Sequence, residues 1–134
     1  MQRRLFLATM AAVPFVIQFA TTGAIAAERQ TFDAVSFKTA QERGARILVD
    51  ISATWCPTCM VQKLIIDSFA EQPANSDLVI FAVDFDSQKP VVRQFGAQSQ
   101  STLIAFRGKT ETGRSVGDTN PGSIASLVQS TVTK

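Results

Sequence analysis

Histidine is absent from all 134 residues, and that absence excludes much chemistry at once: no Ser-His or Cys-His catalytic pair, no His-ligated metal and no histidine proton shuttle. Cysteine is nearly as scarce. The two that occur, Cys56 and Cys59, cannot supply a four-thiolate zinc or iron-sulfur site from one copy of the chain. Glycine and proline, at 7 and 5 residues, are too few for a collagen-like or low-complexity chain, and 46% hydrophobic with 18% charged residues is the composition of a folding domain. At roughly 150 residues per domain the length allows one domain, and no repeat or low-complexity linker divides it. No acidic residue precedes Glu28, while Arg3 and Arg4 lie at the N-terminus. Without those two, 11 basic residues face 11 acidic ones, so the formal charge of +2 belongs to the N-terminus. Nucleic acid is not expected as a partner.

Residues Met1 to Arg4 form a short positive segment, and Leu5 to Ala20 are almost all apolar, interrupted by Pro14 and Gln18. The run closes on Ala24-Ile25-Ala26, a small-x-small pattern that signal peptidase can read. Residues 1–26 therefore read as an export signal and residues 27–134 as the mature domain. An uncleaved membrane anchor is the alternative, because Leu5 to Ala27 could just span a bilayer. Arg3-Arg4-Leu5-Phe6-Leu7 also resembles a twin-arginine motif, which leaves the export route open. Either way the domain is expected in an extracytoplasmic, disulfide-permissive space, the bacterial periplasm.

Along the mature chain, Ser36 is a candidate N-cap for a short helix from Phe37 to Arg43, with Gly44 at its left-handed C-terminal position. Arg46 to Ser52 and Leu78 to Asp84 read as strands buried on both faces. Between them a helix is expected to run to about Glu71, with Met60, Val61, Leu64, Ile65 and Phe69 on its apolar face and Gln62, Lys63, Asp67 and Ser68 on the other. Ser87 to Phe95 reads as a short helix with Pro90 in its first turn and Gly96 at its exit. Thr102 to Arg107 and Thr112 to Val116 form a hairpin about Gly108-Lys109. Asn120 then caps a last helix that starts at Pro121 and buries Ile124, Leu127, Val128 and Val132. The order βαβα then ββα predicts an α/β domain with a mixed sheet covered on both faces.

The chemistry gathers at Trp55-Cys56-Pro57-Thr58-Cys59, where a buried strand meets a helix. A thiolate there faces unpaired backbone N-H groups and the positive end of the helix dipole, so the Cys56 thiol should ionise readily. Cys56 is then the exposed nucleophile. Cys59, one turn later and facing the protein, resolves the mixed disulfide. Pro57 starts the helix without wasting an N-H. Two other readings stand beside this one: a static disulfide, which across so short a loop would constrain the unfolded chain little, and a metal site completed by carboxylates or a second subunit. Haem attachment through C-x-x-C-H fails at Met60.

Val49-Asp50-Ile51-Ser52-Ala53-Thr54-Trp55-Cys56-Pro57-Thr58-Cys59 resembles the active-site segment of the thioredoxin family. Val83-Asp84-Phe85-Asp86 is similar to the family's third strand, Phe95-Gly96 to the end of the following helix, and Thr102 to Phe106 with Gly117 to its closing hairpin. The resemblance covers Phe32 to Val132 and implies the thioredoxin fold, a central mixed sheet with helices on both faces. It also implies that Asp50 is the buried carboxylate assisting proton transfer to and from Cys59, a role that burial in an apolar strand favours by raising its pKa. Trp55, Pro57, Thr58, Ser101 and Thr102 are the implied substrate-docking residues. Two departures stand out. The family's cis-proline is replaced by Ser101, where a cis bond after Gln100 would cost about 2.5 to 4 kcal/mol, so a trans bond is expected. The lysine that commonly accompanies the buried aspartate has Ala82 in its place.

The expected function is that of an exported thiol-disulfide oxidoreductase, acting as a monomer on protein dithiols and disulfides and needing no organic cofactor. A reducing role requires electrons from a membrane thiol transporter. It is favoured over a disulfide-forming role because the chain has no large helical insertion of the kind that the family's exported oxidants carry. The rival from another class is a non-catalytic binding module in which the Ser101 loop holds a partner or a metal ion.

Overall fold

The computed structural model describes residues 26–132, so the expected signal (1–26) and the alternative anchor (Leu5 to Ala27) lie outside the described residues except for Ala26 and Ala27. Among the described residues no helix is long and apolar enough to cross a membrane.

Two strands predicted from their β-branched, largely apolar runs form with the predicted bounds. They are β2 (Arg46–Ser52) and β3 (Leu78–Asp84), buried along nearly their whole lengths because helices cover both faces. They pair in parallel, Asp50 opposite Ala82. An edge strand that the sequence reading missed, β1 (Glu28–Thr31), pairs in parallel with the far side of β3. Its Glu-Arg-Gln-Thr composition carries no apolar signal, because an edge strand is held by backbone pairing on one side only. The hairpin β4 (Thr102–Arg107) and β5 (Thr110–Val116) continues the sheet antiparallel from β2. Its second strand starts two residues earlier than expected, since a tight turn at Gly108-Lys109, with Gly108 at φ 57°, leaves no loop between them. The five-stranded mixed sheet has the order β1-β3-β2-β4-β5.

Helices α1 (Ala34–Glu42) and α3 (Lys89–Gln94) cover one face, while α2 (Pro57–Ala70) and α4 (Pro121–Gln129) cover the other. The first starts before the expected position because Asp33 outcompetes Ser36 as cap: its carboxylate accepts from both the Ser36 N-H at 2.9 Å and the Ser36 hydroxyl at 3.0 Å. The third is shorter than expected because Ser87 is taken by a turn, its N-H and hydroxyl both donating to Asp84. A single 3-10 turn, Pro73–Asn75, leads into β3. In α4, Asn120 caps Gly122 and Ser123 as expected and Ile124 and Val128 are buried, but Val132 lies beyond the helix and is exposed.

The largest correction concerns α2. Its buried stripe is Cys59, Gln62 and Ile66, with Ile65 and Phe69 partly buried, whereas Met60 and Leu64 are 63% and 72% exposed. The helix is turned so that Cys59 is an inward position. Gln62 is fully buried because its amide N-H groups have partners, the carbonyls of Ser101 at 3.2 Å and Asp118 at 2.8 Å.

The α1/α3 face holds an aromatic cluster centred on Phe37, whose ring lies 5.4 to 5.6 Å from those of Phe32, Phe81, Phe95 and Phe106. Phe81 belongs to β3 and Phe106 to β4, so Phe37 ties α1 to the sheet. Phe37→Ala is expected to cost about 3 to 5 kcal/mol of unfolding free energy. Urea unfolding checks this, and a loss below about 1 kcal/mol would mean that the ring is not central to the core.

Candidate active site

β2 ends at Ser52, the chain turns through Ala53-Thr54-Trp55, and Pro57 opens α2, so Cys56 falls at the N-cap. Its φ and ψ of −93° and 109° are extended, and its sulfur takes the place usually held by a capping oxygen: the Cys59 N-H donates to Cys56 Sγ at 3.1 Å. Cys56 and Cys59 form a disulfide, with Cα atoms 5.3 Å apart. The pair packs with Ala53 and Phe85.

Both cysteines are nearly enclosed, Cys56 at 2% and Cys59 at 5% exposed, so the expectation of an exposed nucleophile is corrected. Exposure does not distinguish them. What does is the set of groups each meets: Cys56 has the end of the helix, while Cys59 lines an open cleft of about 310 Å³ together with Asp50, Arg29 and Lys63.

Asp50 shares the α2-facing side of β2 with Leu48, and it is 4% exposed. Burial pushes its carboxyl above the ordinary value, and the Arg29 guanidinium, 3.3 Å away, opposes that rise. Arg29 is the functional candidate that sequence reasoning missed. It comes from β1, the strand that was not recognised, and bridges Asp50 to Asp67 of α2 at 2.9 Å, with Lys63 completing the chain of charges. Ala82, at the position where the resemblance placed a missing lysine, lines the same cleft. The cation beside the buried carboxylate is therefore present but supplied by a different strand.

On the other side of the disulfide, the Ser101 hydroxyl oxygen lies 3.1 Å from each sulfur. The Gln100-Ser101 bond is trans, as expected, and Ser101 adopts φ 60°. Thr102 does not reach the surface: it is 1% exposed, and its hydroxyl donates to the Ser99 carbonyl at 2.8 Å. Pro57 is exposed and Thr58 half-buried. Trp55 is 59% exposed and anchored by its indole N-H, which donates to Asp86 at 2.7 Å. Met60, Val61 and Leu64 of α2 are exposed as well. Among the described residues no group of three or more Cys, Asp or Glu side chains is placed to hold a metal ion.

Comparison with known proteins agrees with this geometry. The family profile described as Thioredoxin matches residues 26–130. Thioredoxin-2 of Saccharomyces cerevisiae is 36% identical over 86 residues, covering 64% of this chain and 80% of the yeast protein. Thioredoxin H-type of Brassica campestris is 31% identical over 80 residues, covering 60% of this chain and 63% of that protein, so the match spans somewhat less than two thirds of the plant relative. Among solved structures, Trxlp from Edwardsiella tarda EIB202 is similar with a TM-score of 0.73 and 39% identity, covering 75% of this chain and 98% of that one.

A carboxyl whose pKa is raised by folding holds its proton more tightly in the folded state, so stability declines as pH rises from the ordinary carboxylate range through the raised value. Asp50→Asn should thus stabilise the protein at neutral pH, by about 1 to 3 kcal/mol, and the gain should vanish in acid where Asp50 is protonated in both states. Denaturant unfolding at several pH values measures it; a gain that does not depend on pH contradicts the account. Arg29→Met should move the decline to higher pH, because the opposing cation is gone.

Proposed function

This chain belongs to the thioredoxin family and is a thiol-disulfide oxidoreductase, and we propose that it works outside the cytoplasm as a reductant of protein disulfides, with Cys56 as nucleophile and Cys59 as resolver. The observation that carries the assignment of roles is the asymmetry of the pair: Cys56 caps α2 and Cys59 opens to the Asp50 cleft.

The cycle follows from that asymmetry. The Cys56 thiolate attacks one sulfur of a partner disulfide, forming a mixed disulfide and releasing the other partner sulfur as a thiolate that takes up a proton. Cys59 gives its proton to Asp50 across the shared cleft and attacks Cys56 Sγ. The Cys56-Cys59 disulfide forms and the second partner sulfur leaves, accepting a proton in turn. Two electrons and two protons have passed to the partner. A protein dithiol must restore the Cys56-Cys59 dithiol, and outside the cytoplasm this donor is a membrane thiol transporter. Around the sulfurs, Trp55, Pro57 and Thr58 offer a docking rim that fits an apolar segment flanking the partner disulfide, and a monomer presents that rim without obstruction.

Export is supported by the Arg3-Arg4 start, the apolar run Leu5 to Ala20 and the Ala24-Ile25-Ala26 ending. The reducing direction is supported by the compactness of the domain, in which α2 leads to β3 through one 3-10 turn and no helical insertion.

Cys59→Ser should trap mixed disulfides with partners in the extracytoplasmic fraction, and Cys56→Ser should trap few. Thiol-sensitive adducts are read on non-reducing gels after fractionation. No adducts, or equal trapping by both variants, contradicts the assigned roles, and adducts confined to the cytoplasm contradict export. Deleting the protein should leave the trapped partners more oxidised; partners that become more reduced would mark a disulfide-forming role.

A further inference from the structure

Ser101 is the one non-glycine among the described residues at positive φ; the others there are Gly44, Gly96, Gly108 and Gly117. A left-handed conformation costs an ordinary residue roughly 1 to 2 kcal/mol, a cost glycine avoids. Strain of this kind persists where its surroundings over-determine it, often at functional sites. Here they do. The Ser101 carbonyl accepts from the Gly117 N-H at 2.8 Å and from the buried Gln62 amide at 3.2 Å, and the same amide donates to the Asp118 carbonyl at 2.8 Å. The loop is clamped from α2 and from the segment after β5.

The product of that clamp is a hydroxyl oxygen at 3.1 Å from both sulfurs, in a side chain only 5% exposed. In the disulfide the sulfurs carry no hydrogen, so in these two contacts only the hydroxyl can donate, and its acceptors are weak. Reduction changes this. A thiolate is a charged acceptor, whose hydrogen bonds are roughly twice as strong as neutral ones, and a thiol brings a donor of its own. We propose that Ser101 is a catalytic residue of the reduced state: its hydroxyl donates to the Cys56 thiolate while its oxygen accepts from the Cys59 thiol. The proposal rests on the oxidoreductase reading and deepens it, because docking alone does not require the hydroxyl to touch sulfur. No bond to Ser101 forms or breaks. The bridge holds the negative charge on Cys56 and the remaining proton on Cys59 until a partner disulfide takes up the Cys56 sulfur. It adds to the Cys59 N-H, which reaches Cys56 from the helix end.

Two substitutions separate the hydroxyl from the backbone. Ser101→Gly removes the hydroxyl and relieves the positive φ; Ser101→Ala removes it and keeps the strain. In both, the thiolate absorbance of the reduced protein should titrate about one pH unit higher than in the wild type, and alkylation of Cys56 below that midpoint should slow about tenfold, equivalent to about 1.4 kcal/mol. A merely structural role would move stability in opposite directions for the two variants and leave the titration alone. Should Ser101→Ala fail to fold, Ser101→Gly carries the test by itself. A folded Ser101→Gly protein with the wild-type titration overturns the proposal. The two claims fail separately: absence of Cys59→Ser adducts overturns the oxidoreductase roles, whereas adducts together with an unshifted Ser101→Gly titration overturn only the role of Ser101.

Discussion

A sulfur atom caps a helix, and the site is organised around that contact. Cys56 sits where β2 hands over to α2, and its Sγ accepts the Cys59 N-H in the place of a serine or aspartate oxygen. That bond closes the helix end and sets Cys56 Sγ at the positive end of the helix dipole, the place that suits the proposed thiolate. Pro57 makes the arrangement inexpensive, because the first helical N-H would have no partner in any case. The buried strand behind it, held between β3 and β4, gives the turn a rigid base.

Two layers act on the sulfurs from opposite sides. Beneath α2, Asp50 lies in a cleft shared with Cys59, and Arg29 stops its carboxyl from rising as far as burial alone would push it. Above, Ser101 meets both sulfurs on a loop that Gln62 and Gly117 hold in a strained conformation. The two cysteines are almost equally enclosed, so the roles proposed for them rest on what surrounds each sulfur and not on access. Near the pair, Trp55 before α2 and Met60 and Leu64 on it are large apolar side chains left exposed.

Much of this was legible in the sequence. The β-branched runs marked β2 and β3, the Asn120-Pro121 pair marked the start of α4, and the CxxC at a strand-to-helix junction marked the chemistry. What was missed shares a cause. β1 has four polar or charged residues and is held by the backbone of β3, which no side-chain pattern reports; with the strand unseen, Arg29 could not be placed beside Asp50. The face of α2 was misjudged because Gln62 is polar and yet fully buried, its partners being carbonyls 39 and 56 positions away. Met60 and Leu64 misled in the opposite sense, as apolar residues that face solvent. Periodicity assumes that polarity and burial agree, and they part company where a buried side chain clamps a loop. Ser101 was recognised as a departure, but its contact with both sulfurs depends on a positive φ that the residue type disfavours.

The central claim is that this disulfide turns over and does not merely brace the helix. Its most direct test is the reduction of insulin by dithiothreitol in the presence of the purified protein, followed as the appearance of insoluble B chain. The account predicts acceleration at substoichiometric protein, abolished by Cys56→Ser. A rate equal to that of dithiothreitol alone, with the protein folded and Cys56-Cys59 reducible, would contradict it.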